Sequence, residues 1–290
     1  MSPALRLLLT AALAWQVPAP LPDATTFLAA VRSNLERDQD SLAQYSYLQK
    51  RTDIRVSPLG KVTVGDEKVY EVYPSLEPGG SYRRLIAVNG RRVSDAQLAK
   101  QDTERQKTIA EYLRRLERET PGERAKRLEK EARALREDKE AIAEVFRLFE
   151  YRLAGREQVD GEPAIVVTFH PTRNVEARTR LGKYFHHFAG RAWVHEHERQ
   201  LMRVDVEATK DLTFGLGVLG RVHKGSRAAF DRRRVDGNVW LPASARFSGS
   251  GRALMVRRFR VDTTTEFYNY RKFAVTTESV FDLPKPPEGP

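Results

Sequence analysis

The period of the apolar positions changes along the chain, and those changes divide it. Between residues 43 and 93, segments such as KVYEVY (68–73) and YRRLIAV (82–88) alternate apolar and polar positions, as strands with one buried face do. Breaks at Pro58-Leu59-Gly60, Glu77-Pro78-Gly79-Gly80 and Asn89-Gly90 separate these segments. Asn-Gly readily takes the positive φ of a tight turn, so a meander of about three strands is expected here. Upstream, a short helix is expected from Asp23 to Arg37, with Phe27, Leu28, Val31 and Leu35 on one face.

Residues 94–150 shift to a helical period and dense charge. Ser94-Asp95-Ala96-Gln97 and Thr120-Pro121-Gly122-Glu123 both have the form of capping boxes, the second with Pro at the first helical position. The first helix gathers Ile109, Tyr112, Leu113 and Leu116; the second carries Leu128, Leu135, Ile142 and Phe149 at seven-residue spacing. At 1.5 Å per residue the second helix is roughly 40 Å long. Its apolar stripe stays narrow until Val145, Phe146, Leu148 and Phe149 widen it. Two readings follow: a solvated helical pair held over a sheet by that end, or an arm or lid that binds a partner.

From Tyr151 to Thr277 the strand pattern returns, with candidates at 149–157, 163–170, 190–195, 200–209, 225–235, 238–247, 252–261 and 264–275. Asp160-Gly161, Asp236-Gly237 and Gly249-Ser250-Gly251 are the expected separators. Residues 165–169, IVVTF, are apolar on both parities and suit an interior strand. LMRVDVEA (201–208) instead puts Met202, Val204, Val206 and Ala208 on one face and Arg203, Asp205 and Glu207 on the other. The fold class expected is α+β: a curved antiparallel sheet, a half-open β-barrel, covered by helices and carrying a charged helical hairpin at 94–150. It forms one β-rich domain over 23–282, followed by a Pro-rich tail at 283–290.

The first 22 residues, MSPALRLLLTAALAWQVPAPLP, have one positive charge at Arg6, an apolar stretch from Leu7 to Trp15 and a Pro-punctuated boundary. That is the shape of a secretory signal peptide, its apolar run far shorter than the ~20 residues that span a bilayer. Cleavage after Ala14 or nearer Ala19 fits; a buried N-terminal helix is the alternative. No Cys follows the run, so the expected product is periplasmic or otherwise exported, soluble and not lipid-anchored.

Composition narrows the chemistry. The 290 residues are 40% hydrophobic and 31% charged, which is globular, and none is cysteine. Disulfides, Cys-ligated zinc, iron–sulfur clusters and thiol nucleophiles are therefore excluded. The net charge of +11 is uneven: +2 over residues 1–96, +1 over 97–150 and +8 over 151–290. Nucleic acid would want a clustered basic surface with stacking aromatics and a compartment that holds it. In an exported chain an anionic membrane surface accounts for the same charge, and no nucleic-acid partner is expected.

Gly215-Leu216-Gly217-Val218-Leu219-Gly220 fits G-x-G-x-x-G, but the segment that follows leads to another strand and not to the helix of a dinucleotide fold. It is a glycine-rich loop or bent strand, or a mobile apolar flap built from Phe214, Leu216, Val218 and Leu219. His195-Glu196-His197 offers two imidazoles and no third ligand by spacing, so a solvated hairpin tip is expected there and no metal. His186-His187 has no ligand-like spacing either. No cofactor, nucleophile elbow or isolated carboxylate pair stands out, and no enzyme is expected.

The run from Gly190 to Phe273 resembles the outer-membrane lipoprotein-sorting family, the periplasmic lipoprotein carriers and their relatives. The resemblance lies in Gly190-Arg191-Ala192-Trp193-Val194, Leu201-Met202-Arg203-Val204-Asp205 and Lys224-Gly225-Ser226. It continues through Asp236-Gly237-Asn238-Val239-Trp240-Leu241-Pro242 and Phe267-Tyr268-Asn269-Tyr270-Arg271-Lys272-Phe273. It implies a half-open barrel closed by helices and a non-enzymatic carrier whose partners are lipid acyl chains or a lipoprotein. At ~0.8 kcal/mol per buried CH₂, such a carrier must offer an apolar cavity comparable to the chain it holds. Strand parity offers Trp193, Met202, Val204, Leu241, Phe247, Phe259 and Phe267 as lining residues; each is equally well a core residue. The alternative is an interaction or structural module of the cell envelope that uses the 94–150 hairpin. A hydrolase, which needs Ser, His and Asp clustered in a pocket, ranks third.

Overall fold

The computed structural model describes residues 19–56, 62–75, 81–179, 182–214, 220–237, 239–253 and 257–272. The signal-like segment up to residue 18, the tail from 273 and the apolar loop 215–219 lie outside them. The chain is an α+β protein built on one large antiparallel sheet that does not close into a barrel.

Helix α1 (Ala24–Leu42) opens on Asp23, whose carboxylate accepts from Thr26 N at 2.8 Å. It runs past the expected end at Arg37. Five strands follow in place of the expected three or so: β1 (Tyr45–Val56), β2 (Val62–Val64), β3 (Lys68–Pro74), β4 (Ser81–Val88) and β5 (Arg91–Arg92). Helices α2 (Asp95–Arg118) and α3 (Pro121–Leu148) come next. At Thr120 the capping box closes in both directions, whereas at Ser94 only the hydroxyl bond to Gln97 N forms, at 3.3 Å. The remaining elements are β6 (Phe149–Val159), β7 (Glu162–Pro171), α4 (Gly182–Phe185), β8 (Phe188–His195), β9 (Leu201–Ala208), β10 (Leu212–Phe214), β11 (Gly220–Val222), β12 (Arg227–Val235), β13 (Val239–Ala253) and β14 (Arg257–Lys272).

The strand order is β5-β4-β3-β1-β14-β13-β12-β9-β8-β7-β6. The two ends of that row are consecutive in sequence except for α2 and α3, so the helical pair carries the chain from one edge of the sheet to the other. Asn89-Gly90, Asp160-Gly161 and Asp236-Gly237 all have positive φ and make the expected two-residue turns. Gly249-Ser250-Gly251 does not separate strands; it lies inside β13. A Cβ on Gly249 would stand 2.6 Å from the Phe247 ring and 2.7 Å from Ser226 Oγ, so this glycine serves close packing.

One core cluster lies where α1 covers the sheet. Phe27 and Val31 meet Ile165, Val167, Ala192 and Val194, with Leu28, Leu35, Phe146 and Val204 against them. A second cluster unites Val159, Ala164, Val166, Trp193, Met202 and Trp240. Together they bury both parities of β7, as IVVTF implied. They also correct the reading of β9. A register shift opposite Trp193/Val194 inserts an extra residue, so Met202 joins Trp193 in the second cluster while Val204 packs under α1.

Candidate functional site

The helix-covered face is filled rather than hollow beneath α1. Asn34 of α1 donates to the carbonyls of Glu198 and Arg199 at 2.9 and 3.0 Å, and Arg199 lies 4.8 Å from the centre of the Phe27 ring. Near the end of the helix, Asp38 accepts from Arg232 Nη2 at 2.8 Å, both side chains buried. Gln200, also buried, turns its amide nitrogen to the same carboxylate at 2.8 Å. His195, expected in a solvated tip, is buried instead; its Nδ1 accepts from Glu198 N at 3.0 Å and orders the β8–β9 turn. Among the described residues no group of His, Asp and Glu is arranged to hold a metal.

Open space occurs at the other end of the sheet, where α2 meets β3 and β4. Leu98 is the buried foot of the helix. Gln101, one turn on, pairs with the edge of β4: its amide donates to Leu85 O at 3.0 Å and accepts from Leu85 N at 2.9 Å. A strand edge that would otherwise be open to pairing is thereby covered. Asp102 receives a forked pair of bonds from Arg84, at 2.8 and 2.7 Å, and Arg84 also reaches Glu71 at 3.0 Å. Burial alone would lower the pKa of Arg84, but its bonds to Asp102 and Glu71 outweigh that and hold it above the ordinary guanidinium value. Tyr73 donates to Glu71 at 3.0 Å; burial first, then the Glu71 charge, pushes its phenol pKa up and keeps it a donor.

This network walls two cavities. One, of about 380 Å³, is lined by Tyr47, Leu48, Val72, Tyr73, Ile86 and Leu98 among others. The other, of about 490 Å³, lies against Tyr82, Arg83, Arg105, Thr108, Ile109 and Tyr112. Tyr73 faces the first and Tyr82 the second, their rings stacked at 6.3 Å. Both volumes fall in the range of small-ligand sites. The chemistry available is an apolar and aromatic lining with guanidinium groups at its rim.

The residues singled out by strand parity do not converge on this space. Trp193 and Met202 are in the second core cluster, Val204 is under α1, and Leu241 is buried opposite Arg233. Phe247 and Phe267 are half-buried on β13 and β14. The side chains of Phe259 and Phe214 and all of Leu216, Val218 and Leu219 lie outside the described residues; β10 and β11, which flank that loop, pair with each other. Ile109 and Tyr112, read as the apolar face of a helix, do line the larger cavity. Tyr73, Tyr82 and Arg105 carried no local signal, because what joins them is the β3–β4 register and the docking of α2.

No helix of the described residues is long and apolar enough to cross a membrane. No protein-family model and no curated protein sequence matches the chain. The chain is similar to the solved structure of a DUF1329 family protein from Desulfovibrio piger, at 13% identity and a TM-score of 0.30 over 88% of this chain and 97% of that one. A LolA superfamily protein from Nitrosomonas europaea aligns at 8% identity and a TM-score of 0.30, over 90% and 98% of the two chains. A protein described as an outer membrane lipoprotein-sorting domain, from Vibrio parahaemolyticus, aligns at 10% identity and 0.32, over 87% and 97%. Likeness at these scores leaves function to the geometry of the chain itself.

Proposed function

We propose that this protein is an exported, non-enzymatic carrier or binding protein for a lipid or a lipidated protein. The observation that carries the reading is the pair of aromatic-lined cavities at the α2–sheet junction, adjoining across the Tyr73–Tyr82 stack. An open sheet bridged from edge to edge by helices leaves such space without breaking the packed core under α1. The resemblance of residues 190–273 to the lipoprotein-sorting family supports the same reading. Protein expressed with export and examined by native mass spectrometry is expected to carry acyl ligand and to take up a fluorescent fatty-acid probe. A bare mass together with no uptake would overturn the proposal.

In an exported chain, the place of cleavage would decide whether one contact survives. Arg156 donates to the carbonyls of Ala19 and Pro20, at 2.5 and 3.0 Å, while its Nε holds Glu196 at 2.8 Å. A chain cleaved after Ala14 keeps both carbonyls and this clasp, whereas cleavage at Ala19 removes one acceptor. N-terminal sequencing of the secreted protein is expected to begin at Trp15; a start at or beyond Pro20 would count against the assignment.

A further inference from the structure

Among the described residues Arg105 is a cation without an anion. It makes no hydrogen bond or ion pair among the described residues, and its guanidinium instead rests over two rings, 4.5 Å from the centre of Tyr82 and 5.1 Å from that of Tyr73. Its position explains the lack of a partner. The carboxylates nearest in the network, Asp102 one turn earlier on α2 and Glu71 on β3, are both taken by Arg84. Burial disfavours the charged form and pushes the pKa of Arg105 below the ordinary guanidinium value. None of its nitrogens is sealed from solvent, so its donors remain available to the 490 Å³ cavity that it lines.

That cavity is graded. Around Arg105 its described lining is polar, with Gln101 and Glu104 on the same helix. Further along α2, Ile109 and Tyr112 follow four and seven residues after Arg105 on the same helix face. At 1.5 Å per residue these lie about 6 and about 10 Å beyond it. A cationic planar fork followed by apolar wall is complementary to one kind of molecule: a single apolar chain ending in a carboxylate or a phosphate monoester. Stacking on two tyrosines restricts the guanidinium to few orientations, so less freedom is lost when its N–H groups engage an oxyanion.

We infer that Arg105, seated on Tyr73 and Tyr82, is the anion-recognising group of a subsite that takes the charged end of an anionic amphiphile, with Ile109 and Tyr112 receiving the first part of its chain. This deepens the carrier reading and rests on it. Ile109 and Tyr112 give the chain an apolar surface, while Arg105 gives preference for an anionic end over a neutral one.

The test compares three probes with the same twelve-carbon chain on the full-length secreted protein: dodecanoate, dodecyl phosphate and dodecanol. Affinities are read by displacement of a fluorescent fatty acid. The wild type is expected to prefer the two anions over the alcohol. Charge-assisted hydrogen bonds of this kind correspond to ~10- to 100-fold in affinity, and Arg105→Gln should lose that factor for the anions while leaving dodecanol unchanged. Arg105→Lys keeps the charge without the fork and should fall between. The ratio of dodecanoate to dodecyl phosphate then separates carboxylate from phosphate as the preferred end. Equal affinity for acid and alcohol in the wild type, or an equal loss for both in Arg105→Gln, overturns the subsite and leaves the carrier reading standing. Failure of all three probes to bind, with the protein folded by circular dichroism, overturns both.

Discussion

Asp38→Ala is expected to destabilise the fold by about 3–5 kcal/mol, the cost of leaving a buried cation without its partner. Asp38 and Arg232 are 2.8 Å apart and almost wholly buried, in α1 and β12 respectively. Arg232 already has one terminal nitrogen, Nη1, buried without a partner among the described residues, and its Nη2 is shared between Asp38 and the carbonyl of Trp240. Burial pushes the guanidinium pKa down, and the Asp38 charge opposes that shift. Removing Asp38 strips away the opposition and orphans the Gln200 amide as well. Replacing both members, Asp38→Leu with Arg232→Met, should recover most of the loss, because an apolar pair of similar volume avoids the desolvation cost. Urea denaturation monitored by tryptophan fluorescence measures both variants. A single-variant loss below about 1 kcal/mol, the range of an exposed pair, would show that the contact does not hold α1 to the sheet.

The second large effect is expected at Glu144. Its buried carboxylate, on α3, accepts from Arg178 N, from Thr179 Oγ1 and, at 2.8 Å, from Thr179 N, while Arg147 approaches at 2.8 Å. The segment leading into α4 is organised around this side chain. A Cβ on Gly182 would collide with the Glu144 carboxylate, so the chain passes here as glycine. Glu144→Ala removes the acceptor from two backbone amides and a hydroxyl, and a loss of about 3 kcal/mol or more is expected. Burial alone would raise the pKa of this carboxyl; the bonds from Thr179, Arg178 and Arg147 outweigh it and hold the carboxyl below its ordinary value. A depressed folded-state pKa means that the stabilisation is complete above the ordinary carboxylate value of 4.5 and is lost as pH falls through the folded value. The wild type should therefore lose stability on the acid side more steeply than Glu144→Ala. Hydrogen exchange at Arg178 and Thr179 should quicken in the variant; unchanged exchange and parallel pH profiles would refute the role.

The helix starts were legible because a cap is a local device. Ser94, Thr120 and Asp23 each bond an amide three residues on, and nothing distant enters. The three Asx-Gly turns were legible for the same reason. Gly249-Ser250-Gly251 was misread because a glycine demanded by a neighbouring strand looks the same in sequence as one demanded by a turn. Met202 was assigned to the wrong face because its bulge is set by the pairing of β8 with β9, and a single inserted residue reverses the alternation from that point on.

The candidate site shows the same division. The apolar spacing of Ile109 and Tyr112 was visible, since helical periodicity is written in one segment. Arg105 is one of 50 Lys and Arg residues. It became distinct only when Arg84 took both nearby carboxylates and two tyrosines from β3 and β4 were brought beneath it.

By itself, then, the sequence determined the α+β class, the capped helical pair, the hairpin turns and the exclusion of cysteine chemistry, all of which follow from short-range geometry and composition. Only the tertiary structure decided that the helical pair spans the sheet from edge to edge, that the face beneath α1 is filled and that two aromatic-lined cavities adjoin at the junction of α2 with β3 and β4. Those outcomes depend on register, on bulges and on which carboxylate reaches which arginine, and such contacts join residues that no local pattern relates.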